Sequence, residues 1–293
     1  MWWWLTGQGL INGLLNGGVY ALIAVGVSVV FGVMKIVNFA MGEFLTTGMF
    51  VAYVIYGLTG FNTYALIPFV AIIMVGVGSI CFKLCIKPLL KRKDSSAYIL
   101  VTVGLSFILV NLIQIIFGAD FKSVPSDIKS TSIILGDFTV GLPRLIALCV
   151  SIVLVVALSL VMKKTYFGRA MRAAAENENI AQMLGINTKL TFNIAFTISA
   201  VFAGIAGTML TPLYMIYPSI GSQYNTFGVI AVVLGGMGNI WGALVGGLML
   251  GVIEAVIGAH ISTDLGQAAI FVLFLIVVYF KPQGLFGKKV RVG

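Results

Sequence analysis

The sequence predicts an all-α polytopic membrane protein: a bundle of about eight to nine transmembrane helices in one domain that covers residues 1–293. Two observations carry this prediction. Of the 293 residues, 60% are hydrophobic and only 9% are charged, whereas a soluble domain carries about 25% charged residues. The apolar residues also fall into long runs, as helices that cross a hydrocarbon core of about 30 Å require.

Most of these apolar runs are long enough to span a bilayer, and one is short. The long runs lie near residues 9–33, 38–57, 63–85, 97–118, 142–162, 191–211, 242–260 and 265–281. The short run, 226–239, covers about two-thirds of the hydrocarbon core at 1.5 Å per residue. We predict that it crosses as a broken or kinked helix packed inside protein, because the loop charges require an odd number of crossings.

Those loop charges cluster at Lys83–Lys93, Lys163–Arg172 and Lys281–Arg291, each beside an apolar run. The positive-inside rule assigns such loops to the cytosol, which predicts an outside N-terminus and a cytoplasmic C-terminus. The segment 119–141 mixes Asp and Lys evenly and is then the main outside loop. The net charge of +9 therefore reflects membrane orientation, and no basic stripe with interleaved aromatics indicates nucleic acid.

Residues 163–190 form the longest polar interruption between two apolar runs. Their pattern predicts a short helix with an i,i+4 pair, Arg172 and Glu176, and a stop at Gly185. Three apolar residues share one face of this helix: Ala173, Ile180 and Leu184. The segment is too polar to span a bilayer and too small to form a core. The residues alone leave two interpretations open, an amphipathic turn on anionic lipid and a docking helix for a cytosolic partner.

Polar side chains inside apolar runs are candidates for a substrate pathway, because an uncompensated charge at a helix centre costs about 2.5–3.5 kcal/mol. The candidates are Asn12, Asn16, Asn38, Glu43, Asn111, Gln114 and Glu254. Asn38 is placed to cap the second helix, and Glu43 in its first turn is favoured by the helix dipole. For Glu254, a pathway role and a structural hydrogen bond stay equally open. Asn12 and Asn16 either bond across a tight helix crossing or face a pathway. Asn111 and Gln114, three residues apart, could bond to each other or to a neighbouring helix.

Small residues form two stripes at a spacing of four, Gly9, Gly13 and Gly17 in the first run and Gly242, Gly246, Gly247 and Gly251 in the run 242–260. Such stripes allow close helix packing in lipid, and packing within the chain is favoured over an oligomer interface. A faint internal echo between 18–39 and 228–244 is too weak to predict a repeat.

Catalytic chemistry has little support in the sequence. His260 is the only histidine, and neither paired carboxylates nor a nucleophile motif is found. Cys81 and Cys85 have no His or carboxylate beside them, which favours small buried side chains over a metal pair. The phosphate-binding pattern G-x-x-x-x-G-K-[ST] does not occur. We therefore expect no catalytic residue, metal or cofactor on this chain.

Three stretches resemble the permease subunits of bacterial branched-chain amino-acid ABC importers, close to the H-type (LivH-like) subunit. They are residues 12–44, 168–187 and 231–255, followed by the closing KPQGLFG at 281–287. The resemblance covers both ends and the centre in the same order. Met41 departs from the pattern NFAxGE, in which His is common, and this weakens any inference about the substrate there.

The resemblance implies that 168–187 is a coupling segment that docks into an ATP-hydrolysing subunit in the cytosol. The matching residues are Arg169, Arg172, Ala173, Glu176, Asn177, Ile180, Ala181, Leu184 and Gly185. It also implies a multi-pass protein of the bacterial plasma (inner) membrane that works by alternating access. The implied partners are a second, M-type permease, two ATPase subunits that carry ATP and Mg²⁺, and an extracytoplasmic binding protein that delivers a small molecule.

Other functions stay open from the residues. The same machine could carry urea, a short amide or another small polar solute, because apolar spans do not reveal the ligand. A self-sufficient channel or secondary transporter is a further alternative, and a membrane enzyme is the most distant one.

Overall fold

A computed structural model describes residues 2–91, 95–125, 131–136 and 138–287 of the chain. Parts of two predicted basic clusters and of the predicted outside loop lie outside these described residues. Within them the chain forms helices α1 (Trp2–Met34), α2 (Met41–Thr59), α3 (Ile67–Cys81, continued by tighter and wider turns to Lys91), α4 (Ser95–Phe117), α5 (Leu142–Lys164), α6 (Tyr166–Glu176), α7 (Glu178–Met183), α8 (Thr188–Leu210), α9 (Gly221–Gly235), α10 (Ile240–His260) and α11 (Thr263–Phe280).

Eight of the described helices are long and apolar enough to cross a membrane. They correspond to the eight long runs of the sequence, so the predicted fold class is confirmed and the chain is a multi-pass membrane protein. The short run is a helix as well, but α9 begins at Gly221, five residues earlier than expected, and ends at Gly235. Its 15 residues rise only about 22 Å, and most of its surface is buried against neighbouring helices.

The glycines of both stripes pack within the chain: Gly247 and Gly251 of α10 lie against α1, whereas Gly242 and Gly246 lie against the backbone of α9. Helices α1 and α10 run antiparallel, and a Cβ on Gly13 would lie 2.5 Å from the Cα atom of Val252. One turn further, a Cβ on Gly17 would lie 2.8 Å from the Cα atom of Leu248. Backbones this close leave no room for a side chain, so packing within the chain accounts for the stripes and the oligomer interface is not needed for them.

Helices α2 and α9 both begin inside the bundle. The side chain of Met41, at the start of α2, packs 2.8 Å from the position of a Cβ on Gly26 of α1. Gly26 lies eight residues, about 12 Å of helix rise, before the end of α1. Near the start of α9, the ring of Tyr224 lies 6.1 Å from that of Tyr20, also within α1. Both helices are therefore broken elements whose N-termini lie within the bundle.

These two broken helices belong to two halves of the bundle whose helices run in opposite directions. The contact between α1 and α10 corresponds to the contact between α8 and α3. In the same way, the contact between α2 and α8 corresponds to the contact between α9 and α1. At the junction a Cβ on Gly42 would meet Asn225, and one on Gly221 would meet Thr46, each four residues beyond the other glycine. Helices α1–α3 thus correspond in order to α8–α10, and the two sets of helices have opposite orientations, as in many transporters. The faint sequence echo instead compared α1 with α9, which lie side by side.

The two ends of the bundle differ. One end carries a β-hairpin, β1 (Ser132–Leu135) and β2 (Phe138–Gly141), within the segment predicted to be the main outside loop. Gln8 of α1 holds this hairpin through bonds of 2.7 and 3.0 Å to the backbone of Thr139. We call this the hairpin end. Ile133 and Ile134 before Gly136, and Thr139 and Val140 after it, are β-branched residues that favour strands. The φ of +62° at Gly136 suits the turn between them. The sequence prediction rested only on the charges of this segment.

The other end, which we call the α6 end, carries α6, α7, the α9–α10 turn and residues 281–287. Those last residues fold back on α9: the Leu285 N–H donates to the Leu234 carbonyl at 2.7 Å, and the Phe286 N–H to the Gly235 carbonyl at 3.1 Å. Both carbonyls lie in the last turn of α9, where no partner exists within the helix. The closing KPQGLFG therefore caps a broken helix.

Candidate functional site

The predicted coupling helix is two helices, and this corrects the single apolar face drawn from the sequence. Helix α6 ends at Glu176, where Asn177 turns the chain. The Asn177 side chain then caps α7 by accepting bonds of 3.0 and 3.1 Å from the N–H groups of Asn179 and Ile180. Because the helix breaks here, Ala173 does not share a face with Ile180. The Asn side chain competes with the continuing helix for backbone donors.

The two helices bury one side in the bundle and expose the other. Four small or flexible side chains face inward: Ala170, Met171, Ala174 and Ala181. Three larger apolar side chains on α7 and just after it are exposed: Ile180, Met183 and Leu184. Met183 is 85% exposed and Leu184 73%. Large apolar groups this exposed, at a bundle end, are typical of a protein contact surface. Ile180 and Leu184 are among the residues predicted for coupling, whereas Met183 is not.

The predicted pair between Arg172 and Glu176 is not formed. Arg172 instead donates a hydrogen bond to the carbonyl of Met162, in the last turn of α5. Arg169 and Glu176 are exposed, and no ion pair joins either of them to another described residue. Gly168 lies against the same turn of α5, and a Cβ there would collide with the Met162 backbone. The start of α6 is therefore fixed tightly to α5.

Gly185 ends α7 as the sequence predicted. Its φ of +80° lies in the left-handed region that favours glycine. The Ile186 N–H donates to the Ala181 carbonyl at 3.0 Å, which closes the helix. Gln182 then bonds the hydroxyl of Thr188, the first residue of α8, at 2.8 Å. The coupling segment is thus joined at both ends to long helices of the bundle.

Two predicted pathway residues lie at the start of α2. The side chain of Asn38 accepts a 3.0 Å bond from the Ala40 N–H, so it forms a turn before the helix, while Ala40 is the N-cap residue. Glu43 is in the first turn, as expected, and only 4% exposed. Its carboxyl interacts with Ser106 of α4. The Nδ2 atom of Asn38 and the Oε2 atom of Glu43 are buried without a hydrogen-bond partner among the described residues.

Glu254 has a structural hydrogen bond. The hydroxyl of Tyr20 donates to its Oε2 atom at 2.6 Å, which joins α10 to α1. The Tyr20 ring in turn packs edge-on against Phe227 of α9 at 5.3 Å. The sequence analysis missed Tyr20, because a tyrosine in an apolar run resembles an ordinary core residue. His260 lies elsewhere, at 3.3 Å from the Thr6 hydroxyl.

The remaining pathway candidates are dispersed. Asn12 and Asn16 are half-buried on α1, and Asn16 lies beside a small cleft with Tyr20 and Arg144. Asn111 and Gln114 lie on the exposed side of α4, and Asn111 bonds the Phe107 carbonyl of its own helix at 2.7 Å. The structure therefore does not bring these four residues together with Glu43 in one site.

Met41, the departure from the family pattern, is fully buried. The Ser199 hydroxyl of α8 donates to its sulfur at 2.8 Å, and its methyl group packs against Gly26. Cys81 is buried and Cys85 half-buried. In the described ranges, no group of three or more His, Cys, Asp or Glu side chains lies close enough to hold a metal ion.

The comparisons with known proteins agree with this architecture. Residues 9–278 match the family model described as the branched-chain amino acid transport system / permease component. The chain is 32% identical to the high-affinity branched-chain amino acid transport system permease protein LivH of Salmonella typhimurium, over 96% of this chain and 95% of the relative. It is 30% identical to BraD of Pseudomonas aeruginosa, over 96% and 95%.

A more distant relative is LivM of Escherichia coli, a permease protein of a high-affinity branched-chain amino acid transport system. It is 24% identical to this chain, over 97% of the chain and 71% of the relative. No solved structure matches the chain significantly. The family model covers nearly the whole bundle, from α1 to α11. The chain belongs to the family of permease components of branched-chain amino acid transport systems.

Proposed function

We propose that this chain is the H-type permease subunit of an ATP-driven importer of branched-chain or related amino acids. The observation that carries the proposal is the exposed apolar surface of Ile180, Met183 and Leu184, presented on short helices whose inner side is buried. Side chains that face lipid lie on the spanning helices themselves, whereas these three follow the lysines that end α5, outside the spanning segment. An apolar groove on an ATP-hydrolysing subunit would cover this surface.

The relatives support the substrate and the assembly. LivH and BraD are named for high-affinity branched-chain amino acid transport. The similarity to LivM, a second permease of such a system, supports a complex with one H-type and one M-type permease. Two ATPase subunits would carry ATP and Mg²⁺, and an extracytoplasmic binding protein would deliver the amino acid at the hairpin end. No bond of the substrate is made or broken on this chain.

The connections of the coupling segment support alternating access. Helix α6 is fixed to α5 at Gly168, and Gln182 of α7 is tied to α8. Helix α8 in turn packs on α1, α2 and α3. A movement of α7 would therefore reach the junction of the broken helices α2 and α9, where Asn38 and Glu43 have unpaired atoms. Rigid-body motion of packed helices is a common way to switch such a cavity.

The orientation follows from the same assignment. The α6 end would face the cytosol, the N-terminus would lie outside, and the C-terminus would lie inside a bacterial plasma membrane. The lysines at the end of α5 and the basic residues near the C-terminus agree with this direction. The hairpin end would then meet the binding protein.

The test replaces Met183 by glutamate in cells that carry the complete transporter. Met183→Glu introduces a charge into the proposed ATPase contact and should abolish both labelled leucine uptake and co-purification of the ATPase. Met215→Glu is the matched control: Met215 is 62% exposed and lies at the hairpin end, so the ATPase should remain bound. Normal ATPase binding in Met183→Glu would overturn the proposed contact.

Two assays separate the alternatives. If urea or a short amide were the substrate, it should compete with labelled leucine for uptake more strongly than isoleucine and valine do. If the chain were a channel or secondary transporter, the purified chain alone in liposomes should move leucine without ATP. We expect competition by isoleucine and valine, and no transport by the chain alone.

A further inference from the structure

A cavity of about 550 Å³ lies at the α6 end, between the coupling segment and the bundle. Its walls come from the last turns of α1 and α5, from α6, from the α9–α10 turn and from the folded-back residues before Gly287. The exposed apolar surface of α7 is not part of it. The cavity therefore faces the inner side of α6, away from the proposed ATPase contact.

The walls of this cavity are mostly apolar, and two basic side chains lie where α5 ends and α6 follows. Val29 and Val33 of α1, Met171 of α6 and Phe286 contribute apolar surface. Lys163 and Arg172 also line it, and both are exposed. None of the described residues that line the cavity is acidic. A ligand with an anionic head and an apolar body would match this division.

A buried hydroxyl points to a ligand independently of the charges. Ser28 of α1 lines the cavity and is only 1% exposed, and its Oγ atom has no hydrogen-bond partner among the described residues. An unpaired buried hydroxyl is costly, and an ester or glycerol oxygen of a bound molecule would satisfy it.

Trp241 indicates where the cavity stands relative to the membrane. This side chain is 45% exposed, and its indole N–H donates to the Ser159 hydroxyl at 3.2 Å. Half-exposed tryptophans are typical of the membrane–water interface. Helix α5 ends nearby with Lys163 and Lys164. The cavity is thus at the depth of lipid headgroups.

We propose that this cavity binds an anionic phospholipid, with its phosphate near Lys163 and Arg172 and its glycerol region near Ser28. Arg172 also bonds the Met162 carbonyl of α5, and the cavity is lined by α1 and the α9–α10 turn as well. A lipid held there would therefore join α5 and α6 to α1 and to that turn. Occupancy would then stiffen the connection between the coupling segment and the broken helix α9. This inference does not depend on which solute is carried.

The test measures quenching of Trp241 fluorescence by brominated lipids. Trp2, Trp3 and Trp4 are the other tryptophans, so replacing them by phenylalanine leaves Trp241 as the sole reporter in the full-length chain. In mixed-lipid nanodiscs, brominated phosphatidylglycerol should quench Trp241 more strongly than brominated phosphatidylcholine. Lys163→Gln should lower the apparent affinity for phosphatidylglycerol about fivefold, as expected for one cation near an anionic headgroup.

Lys164→Gln is the matched control, because Lys164 is adjacent and exposed but does not line the cavity. Brominated phosphatidylglycerol should quench Trp241 in this variant as strongly as in the parent chain. Equal quenching by both lipids, or equal loss in the two lysine variants, would show only general attraction to an anionic surface and would overturn the proposal. Relief of quenching by inorganic phosphate would assign the cavity to a soluble anion and would also overturn it.

Discussion

Gly42 and Gly221 stand back to back where the broken helices α2 and α9 begin, and a Cβ on either one would collide with the carbonyl of the other. The contact is reciprocal, as a local two-fold axis between inverted halves requires. No other residue type fits at these positions without moving a helix. This junction joins the two halves of the bundle at the depth of Glu43.

Substitution at this junction should destabilise the protein strongly. Gly42→Ala forces α2 and α9 apart, and overpacking of this kind costs about 1–3 kcal/mol or more. We expect a clearly lower melting temperature in detergent and loss of leucine uptake. Gly57→Ala is the control in the same helix: nothing lies within 4 Å of its Cβ position, so stability should be unchanged or slightly higher. Equal melting temperatures in both variants would contradict the close contact.

The cap of α7 should matter for the order of the coupling surface. Asn177→Ala removes the acceptor for the Asn179 and Ile180 N–H groups, a loss of about 1 kcal/mol. Hydrogen exchange at residues 178–183 should become faster, and ATPase binding weaker. Asn177→Asp keeps the acceptor and should behave like the parent. Unchanged exchange in Asn177→Ala would show that packing alone orders α7.

Gly185 should be sensitive to backbone conformation and not to size. Its Cβ position is open, with nothing within 4 Å, but its φ of +80° disfavours most side chains. Gly185→Asn should retain most leucine uptake, because Asn tolerates the left-handed region, whereas Gly185→Val should lose it. Similar uptake in both variants would mean that the turn is not maintained in the working transporter.

The bond between Tyr20 and Glu254 should be coupled in a double-mutant cycle. Tyr20→Phe leaves a half-buried carboxyl oxygen without its donor, which costs about 1 kcal/mol. In a chain that already carries Glu254→Leu, Tyr20→Phe should lower the stability less than it does in the parent chain, because no carboxyl is left without its donor. Thermal unfolding of the four proteins gives the coupling energy. Additive effects would show that the 2.6 Å bond contributes no coupling.

The fold class was predictable because it depends on long apolar runs, which act locally. The position of Gly185 was also predictable, since a left-handed turn at the end of a helix has a sequence signal. The pairing of Gly42 with Gly221 was not predictable: it joins residues far apart in the chain, and its sequence signal is one glycine in each half. The break at Asn177 was missed because the apolar spacing of Ala173 and Ile180 suits one helix as well as two.

The exposure of the coupling surface to the cytosol is the central claim, and thiol labelling at Met183 tests it most directly. Met183→Cys in a chain without Cys81, Cys85 and Cys149 places the sole cysteine on α7. A membrane-impermeant maleimide should label it in inside-out vesicles stripped of the ATPase, and rebinding the ATPase should block the label. Labelling from outside intact cells, or labelling unaffected by the ATPase, would contradict the proposed coupling role of α6 and α7.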